Sequence, residues 1–186
     1  MARTVLITGG CRSGKSRHAR LLAESVGEKR VYIATAPVGD SEMEERIFSH
    51  RAERLGRGWE TIEERINLAG ALRECAGYDV VVCDCLTLWV NNLMYEASPK
   101  GQAITELDMA RLCAEVRDAL RCLDALVVLV TNEVGLGVVP ADATTRRFRD
   151  LAGRCNQEMA AATDEVILMV SGLPMHLKGK GHEHPR

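Results

Sequence analysis

Gly9-Gly10-Cys11-Arg12-Ser13-Gly14-Lys15-Ser16 matches G-x-x-x-x-G-K-S, the pattern of a phosphate-binding loop. The backbone N–H groups of such a loop converge on an anion, and the helix that follows points its positive end at the same place. The loop lies between a β-rich run, Thr4–Thr8, and a predicted helix, Lys15–Val26. Because this is the context that the pattern requires, a glycine turn without a ligand is disfavoured. We expect Lys15 to reach the β- and γ-phosphates and the Ser16 hydroxyl to ligate Mg²⁺.

The composition is that of an ordinary globular protein. The chain has 186 residues, 46% hydrophobic and 27% charged, which predicts a single domain over residues 1–175 and a polar tail over 176–186. The net charge of -2 provides no basic field for nucleic acid, and the apolar runs have the length of strands rather than of membrane spans. The His182-Glu183-His184 run in the tail is a weak metal signal, and a solvated tail is the preferred interpretation.

The cysteines indicate a reducing compartment. Their number, seven, is odd and they are scattered, so we predict free thiols in a cytoplasmic protein rather than a disulfide framework. Cys83 and Cys85 would share one face of a strand, which makes a metal site conceivable. Since no second pair completes four ligands, buried apolar thiols are the better interpretation.

Continuous apolar runs alternate with helical patterns along the chain, which predicts a doubly wound α/β fold with a largely parallel sheet. Such a sheet binds ligands at the carboxyl ends of its strands. The predicted strands are Thr4–Thr8, Arg30–Thr35, Val80–Asp84, Leu126–Thr131 and Glu165–Val170, with Trp59–Ile62 as an additional short strand. The predicted helices after the first are Ser41–Arg54, Thr105–Leu123 and Arg146–Thr163.

Asp84 stands at the carboxyl end of a buried strand, where a Walker B carboxylate would hold Mg²⁺. The alternative is a cap of the helix that begins near Thr87, and the phosphate loop favours the metal role.

Arg46, His50 and Arg54 recur every four residues, so a helix would place them along one face. Neighbouring cations lower the pKa of an imidazole, and a neutral imidazole can attack phosphorus. Spacing alone nevertheless favours an exposed basic face with an incidental histidine.

Two further groups of polar residues leave alternatives open. Thr131-Asn132-Glu133-Val134-Gly135 follows the clearest strand, where it could position an acceptor hydroxyl or a water, or form an ordinary turn. Arginines on the later helix could face a nucleotide or solvent; they are Arg146, Arg147, Arg149 and Arg154.

Several segments together resemble the bifunctional adenosylcobinamide kinase / adenosylcobinamide-phosphate guanylyltransferase family of cobalamin biosynthesis. The resemblance runs from Thr4 to about Gly172. Besides the phosphate loop, the segments are Tyr32–Thr35, Arg46–Arg51, Trp59–Glu64, Val130–Gly135, Phe148–Gln157 and Asp164–Val166. The resemblance is more specific than the loop alone would make it, because the chain also contains the Thr-Asn-Glu-Val-Gly run and the Gly153-Arg154-Cys155-Asn156-Gln157 run.

The resemblance implies two reactions on one three-layer, RecA-like P-loop NTPase domain that forms a homotrimer. Adenosylcobinamide would be phosphorylated with ATP or GTP, and GMP from GTP would then pass through a covalent histidine to the phosphate. That histidine corresponds to His50, so the resemblance favours a nucleophile where spacing alone favours an incidental side chain. Some relatives carry a second histidine where this chain has Ser49.

The resemblance also implies which residues bind the nucleotide and Mg²⁺. Lys15 would act beside His50 in catalysis, and Ser16 and Asp84 would hold the metal. Cys11 departs from the small residue, such as Ala, that is commoner at its position. The nucleotide would be bound by Gly9, Gly10, Cys11, Arg12, Ser13, Gly14, Lys15, Ser16, Thr35, Ala36, Pro37, Arg51, Ala52, Glu53, Arg54, Glu63 and Asp84.

Two other functions compete with this interpretation. The chain could be a simple P-loop kinase of a small metabolite without a covalent intermediate, or a nucleotide-binding regulatory module.

Overall fold

The computed structural model describes residues 2–37, 45, 48 and 51–179. Its centre is a seven-stranded sheet. The strands are β1 Arg3–Gly9, β2 Arg30–Ala34, β3 Trp59–Glu63, β4 Val80–Asp84, β5 Leu126–Val130, β6 Glu165–Val170 and β7 Leu173–Lys178. Their order in the sheet is β3-β2-β4-β5-β1-β6-β7, so the strand that precedes the phosphate loop lies between β5 and β6. All neighbouring strands are parallel except β6 and β7.

Helices cover both faces of the sheet, which confirms the predicted three-layer α/β fold. Ala19 and Ala23 of the first helix pack on one face, and the other helices supply the larger core on the opposite face. The helices are α1 Lys15–Glu24, α2 Leu68–Glu74, α3 Leu86–Ala97, α4 Glu106–Arg121 and α5 Ala143–Ala162; a short 3-10 helix, Ser98–Lys100, follows α3.

The central strands are buried on both faces. In β5, Val127 and Leu129 belong to the larger core, whereas Leu126, Val128 and Val130 belong to the core under α1. This alternation explains why the strand reads as an uninterrupted apolar run. The parallel pairing also places the carboxyl ends of β1, β4 and β5 at one edge of the sheet.

The helix ends are set by caps that the hydrophobic pattern did not reveal. Thr105 and Asp108 form a reciprocal capping box, so α4 begins at Glu106. The Asp142 carboxylate accepts a 2.7 Å hydrogen bond from the Thr145 N–H, so α5 begins at Ala143, earlier than the predicted Arg146. The predicted helix Ser41–Arg54 lies mostly outside the described residues, although residues 51–54 are helical.

The last strand was not predicted. β7 pairs antiparallel with β6 after a turn at Ser171 and Gly172, both of which have positive φ. It runs through Lys178, so the predicted domain boundary after residue 175 falls inside a strand. All six of its residues are exposed, and residues 180–186 of the tail lie outside the described part of the chain.

All seven cysteines are free, and five of them are buried. Cys83 packs in the larger core and Cys85 in the core under α1, so the expectation that both face the same way is wrong. The physical reason is that β4 ends at Asp84 and Cys85 is already the N-cap of α3, beyond the alternation of the strand. Across the described ranges, no group of three or more His, Cys, Asp or Glu side chains could hold a metal. Nor does any helix in those ranges have the length and apolarity to cross a bilayer.

Candidate nucleotide-binding site

The loop between β1 and α1 ends at a helix N-terminus that has no side-chain cap. Gly14 is the N-cap of α1 with φ +95°, and no acidic side chain lies in the first turn of the helix. The first N–H groups of a helix have no partner within the helix, and they carry its positive partial charge. The N-terminus of α1 is therefore suited to an anion that is not part of the chain itself.

Gly9 brings the loop close to the neighbouring strand. Its φ is +149°, and a Cβ here would lie 2.5 Å from the Met169 carbonyl oxygen and 2.8 Å from Ser13 Oγ. Only glycine fits such an approach. Ser13 Oγ is buried and has no hydrogen-bond partner among the described residues. A phosphate oxygen would supply an acceptor for this hydroxyl, so the chemistry of the loop fits a phosphate.

Lys15 is buried at the start of α1, with 7% of its surface exposed. Its Nζ donates a 2.6 Å hydrogen bond to the Gly10 carbonyl. Burial lowers the pKa of Lys15, while the nearby carboxylate of Asp84 acts in the opposite direction. A buried ammonium is unfavourable without a counter-charge, so a polyphosphate next to it would be stabilised.

A cavity of about 500 Å³ lies between the loop, the strand ends and the helical stretch 51–54. The resemblance predicted most of its lining, including six consecutive loop residues. These predicted residues line it: Cys11, Arg12, Ser13, Gly14, Lys15, Ser16, Ala36, Arg51, Glu53, Arg54, Glu63 and Asp84. The predicted residues that do not line it are Gly9, Gly10, Thr35, Pro37 and Ala52. The candidate nucleophile, His50, lies outside the described residues, as does Arg46.

Asp84 turns its carboxylate to Tyr32 rather than to the next helix. Asp84 Oδ2 accepts a 3.0 Å hydrogen bond from the Tyr32 hydroxyl, and Cys85 takes the N-cap position of α3. The capping alternative is therefore not what the structure contains. Ser16 and Asp84 both line the cavity, and a hydroxyl with a carboxylate is the donor set that Mg²⁺ prefers beside phosphates. These two residues fit a magnesium ion.

Tyr32 was missed as a candidate residue because it stands inside a strand and carries no catalytic signature. The guanidinium carbon of Arg54 lies 3.6 Å from the centre of its ring. Burial, followed by the negative charge of Asp84, raises the pKa of Tyr32 well above its ordinary value, so its hydroxyl remains a donor at neutral pH. The neighbouring Arg51 forms an ion pair with Glu63 across the cavity wall.

Thr35 is fully buried and joins two strand ends. Its hydroxyl accepts a 2.7 Å hydrogen bond from the Cys85 N–H and donates one of 2.8 Å to the Cys85 carbonyl. Asn92 of α3 donates to the Thr35 carbonyl at 2.8 Å. These contacts hold β2 and β4 together beside Asp84, which is a positioning role for the Thr35 side chain.

The run after β5 forms a hydrogen-bond chain next to the loop. The Asn132 N–H donates to Thr87 Oγ1 at 2.7 Å, and the Thr87 and Thr131 hydroxyls lie 3.1 Å apart. The chain ends on Asn156 of α5, and the Glu133 N–H donates to the Gly9 carbonyl at 3.1 Å. Of this run, Asn132 lines the cavity.

The arginines of α5 serve other contacts. Arg146 and Arg147 donate to backbone carbonyls of the preceding loops, while Arg149 and Arg154 pair with Asp150 and Glu158. None of the four lines the cavity formed by the described residues. The sequence alone could not show which of the four arginines face a nucleotide and which face solvent, because all four lie on the same helix.

A glycine loop before an uncapped helix, a buried lysine and a strand-end carboxylate define a P-loop nucleotide-binding fold. The chain belongs to the cobinamide kinase / cobinamide phosphate guanyltransferase family, whose model matches residues 5–177. It is 45% identical over 179 residues to the bifunctional adenosylcobalamin biosynthesis protein CobP of Pseudomonas aeruginosa, covering 94% of this chain and 97% of the relative. It is 40% identical over 182 residues to the corresponding CobU of Escherichia coli, covering 94% and 99%. Membership of this family makes the chain an enzyme.

Among solved structures, the chain is similar to a KaiC-like protein from Pyrococcus horikoshii. The TM-score is 0.53 at 15% identity, over 98% of this chain and 82% of that one. This likeness concerns the fold alone, and it confirms the expected RecA-like arrangement.

Proposed function

We propose that this enzyme phosphorylates adenosylcobinamide with ATP or GTP and then transfers GMP from GTP to the new phosphate through a covalent GMP–His50 intermediate. The product would be adenosylcobinamide-GDP. The observation that carries the proposal is the cavity in which the phosphate loop, Asp84 and residues 51–54 meet. In sequence, residues 51–54 directly follow His50.

In the transfer reaction, a nitrogen of the neutral His50 imidazole attacks the α-phosphorus of GTP. The P–N bond forms as the bond from that phosphorus to the bridging oxygen breaks, and pyrophosphate leaves towards Lys15 and the N-terminus of α1. An oxygen of adenosylcobinamide phosphate then attacks the same phosphorus and displaces the imidazole. Two moderate barriers replace one large barrier.

The kinase reaction needs positioning and charge neutralisation more than covalent chemistry. Lys15 and the loop amides would hold the terminal phosphates while the hydroxyl oxygen of the corrinoid side chain attacks the γ-phosphorus. The bond from that phosphorus to the β–γ bridging oxygen breaks as the new O–P bond forms, the nucleoside diphosphate leaves, and the hydroxyl proton passes to water. Mg²⁺, held by Ser16 and Asp84, would neutralise charge on the phosphates when bound. Asn132 lines the cavity, and its side chain would position the acceptor hydroxyl or a water.

The covalent intermediate is tested by incubating the protein with α-labelled GTP and Mg²⁺ and denaturing it. We expect label on the protein that survives base but not acid, as a phosphoramidate does. His50→Ala should abolish it, whereas Ser49→Ala, a change at the adjacent residue that leaves the imidazole, should retain it.

Three results would contradict this assignment. Retained labelling in His50→Ala would exclude His50 as the nucleophile. A wild-type protein that phosphorylates cobinamide without becoming labelled would be a simple kinase, and one that does neither would be a regulatory module.

We further propose a cytoplasmic homotrimer. The exposed strand β7 supports a subunit contact, because Leu173, Met175 and Leu177 are 70%, 52% and 47% exposed. Sedimentation equilibrium should give three times the 20.4 kDa chain mass, and Leu173→Asp should lower it. A wild-type mass of one chain would contradict the trimer.

A further inference from the structure

Tyr32 lies between the two halves of the cavity wall. Its hydroxyl donates to Asp84 Oδ2 at 3.0 Å on β4, and its ring supports the Arg54 guanidinium at 3.6 Å in the helical stretch after His50. One side chain therefore contacts both a candidate magnesium ligand and a candidate nucleotide ligand.

The hydroxyl fixes one oxygen of the carboxylate. Because Asp84 Oδ2 accepts the Tyr32 hydrogen, its other oxygen, Oδ1, keeps its lone pairs for another ligand, and no donor among the described residues bonds to it. A hydrogen bond to a charged acceptor is among the stronger ones in proteins. The bond thus selects one rotation of the carboxylate before any ligand arrives.

The ring acts on the other side. Arg54 is only 7% exposed, and its guanidinium lies well within the distance for a cation–π contact. Trp59 meets the same ring edge-on, with centroids 6.3 Å apart at an interplanar angle of 81°. The Trp59 indole N–H in turn donates to Glu24 of α1 at 3.3 Å. Trp59, fixed by this bond, therefore supports the Tyr32 ring.

We infer that Tyr32 is a positioning residue that sets the Asp84 carboxylate for Mg²⁺ through its hydroxyl and sets Arg54 for the nucleotide through its ring. The inference rests on the proposed function for the identity of the nucleotide, a guanosine phosphate. It assigns one role to the Tyr32 hydroxyl and another to the Tyr32 ring, and two substitutions test these roles separately.

Tyr32→Phe removes the hydroxyl and keeps the ring. Calorimetric titration with GDP, with and without Mg²⁺, gives the factor by which the metal strengthens binding. We expect Tyr32→Phe to reduce this factor by about tenfold, the size typical of a lost hydrogen bond to a charged group. Tyr32→Leu removes the ring as well, so it should also weaken GDP binding without metal by about fivefold, the value of a cation–π contact.

Tyr78→Phe is the matched control. The Tyr78 hydroxyl donates to the Glu60 carboxylate at 2.7 Å, and neither residue lines the cavity. This variant loses the same kind of bond and should keep the wild-type metal factor. A Tyr32→Phe protein with the wild-type factor would overturn the role of the hydroxyl, and a Tyr32→Leu protein that binds metal-free GDP like Tyr32→Phe would overturn the role of the ring.

The outcome is independent of the guanylyl transfer. If wild-type protein failed to become labelled by GTP, the covalent mechanism would fall while the GDP titrations still decided the role of Tyr32. If labelling occurred and the titrations did not differ, the role of Tyr32 alone would fall.

Discussion

Asn156 on α5 accepts a 2.7 Å hydrogen bond from the hydroxyl of Thr131 at the end of β5. The same side chain donates to the Asn132 carbonyl at 3.0 Å, so its amide fixes two consecutive residues beside the loop. The contact connects the Asn-Gln run of α5 to the Thr-Asn-Glu-Val-Gly run, which are distant in the sequence.

Asn156→Ala should destabilise the protein by about 2 kcal/mol, because it leaves a buried hydroxyl and a carbonyl without their partner. Kinase activity should fall about tenfold as Asn132 loses its fixed position. Thermal denaturation and a phosphorylation assay with cobinamide measure the two effects. Gln157→Ala removes an exposed amide at the next position and serves as the control. Equal behaviour of the two variants would refute the role of Asn156.

Gly9→Ala and Gly10→Ala form a matched pair in the loop. A Cβ at Gly9 would lie 2.5 Å from the Met169 carbonyl oxygen, whereas one at Gly10 would meet nothing within 4 Å. We expect Gly9→Ala to cost about 3 kcal/mol of unfolding free energy and Gly10→Ala less than about 0.5 kcal/mol. Denaturant unfolding of both proteins measures the difference, and similar midpoints would show that the close approach to β6 is not a constraint.

Lys15→Ala should weaken GTP binding on the order of 10- to 100-fold, the range expected for a lost charge-assisted bond. The melting temperature without nucleotide should not fall, because burial already disfavours the ammonium, as the lowered pKa of Lys15 indicates. Melting curves with and without GTP measure both quantities. Lys29→Ala, at an exposed lysine before β2, is the control. Undiminished stabilisation of Lys15→Ala by GTP would argue against its phosphate contact.

Asp164→Asn should lower stability in a pH-dependent way. Hydrogen bonds from the N–H and then the hydroxyl of Thr4, both 2.7 Å, lower the pKa of Asp164 in the folded protein. The contribution is therefore fully present above the unfolded-state pKa near 4 and is lost as the pH falls through the folded value.

Because the Asp164 carboxylate is exposed, we expect only about 1 kcal/mol at pH 7. The gap between wild type and Asp164→Asn in denaturant unfolding should close below about pH 3, a range that covers the loss. A stability difference between the two proteins that does not depend on pH would show that it arises from packing or hydrogen-bond geometry rather than from the charge of Asp164.

The sequence predicted the parallel strands well, because burial on both faces leaves an uninterrupted apolar run, as in Leu126–Val130. β7 was missed because its exposed residues carry no burial signal, and its pairing depends on the turn at Ser171 and Gly172. The start of α5 was missed because the helix begins where the Asp142 side chain caps it, and this is earlier than the spacing of the apolar residues indicated.

The parts of the candidate site that could be predicted from the residues are the phosphate loop and Asp84. In both, residues of the required chemical type stand at a position that the local sequence pattern identifies, a glycine loop between strand and helix or the end of a buried strand. Tyr32 and Asn156 were not predicted as contacts, because each acts across the fold on a residue far away in the chain. Spacing alone favoured an incidental His50, and only the family resemblance argued for a nucleophile there. Thr35 was predicted to touch nucleotide, but its hydroxyl is occupied by Cys85.

The position of β1 has a consequence for synthesis on the ribosome. Arg3 pairs with Leu126 of β5 and Val5 pairs with Glu165 of β6. Strand β1 is therefore synthesised well before either of the strands that flank it in the sheet. A nascent polypeptide that has not yet reached β5 therefore has a glycine loop but no flanking strands to shape it. Nucleotide capture becomes possible only after β5 and β6 have been synthesised, and until then chaperones would meet an apolar strand with both edges open.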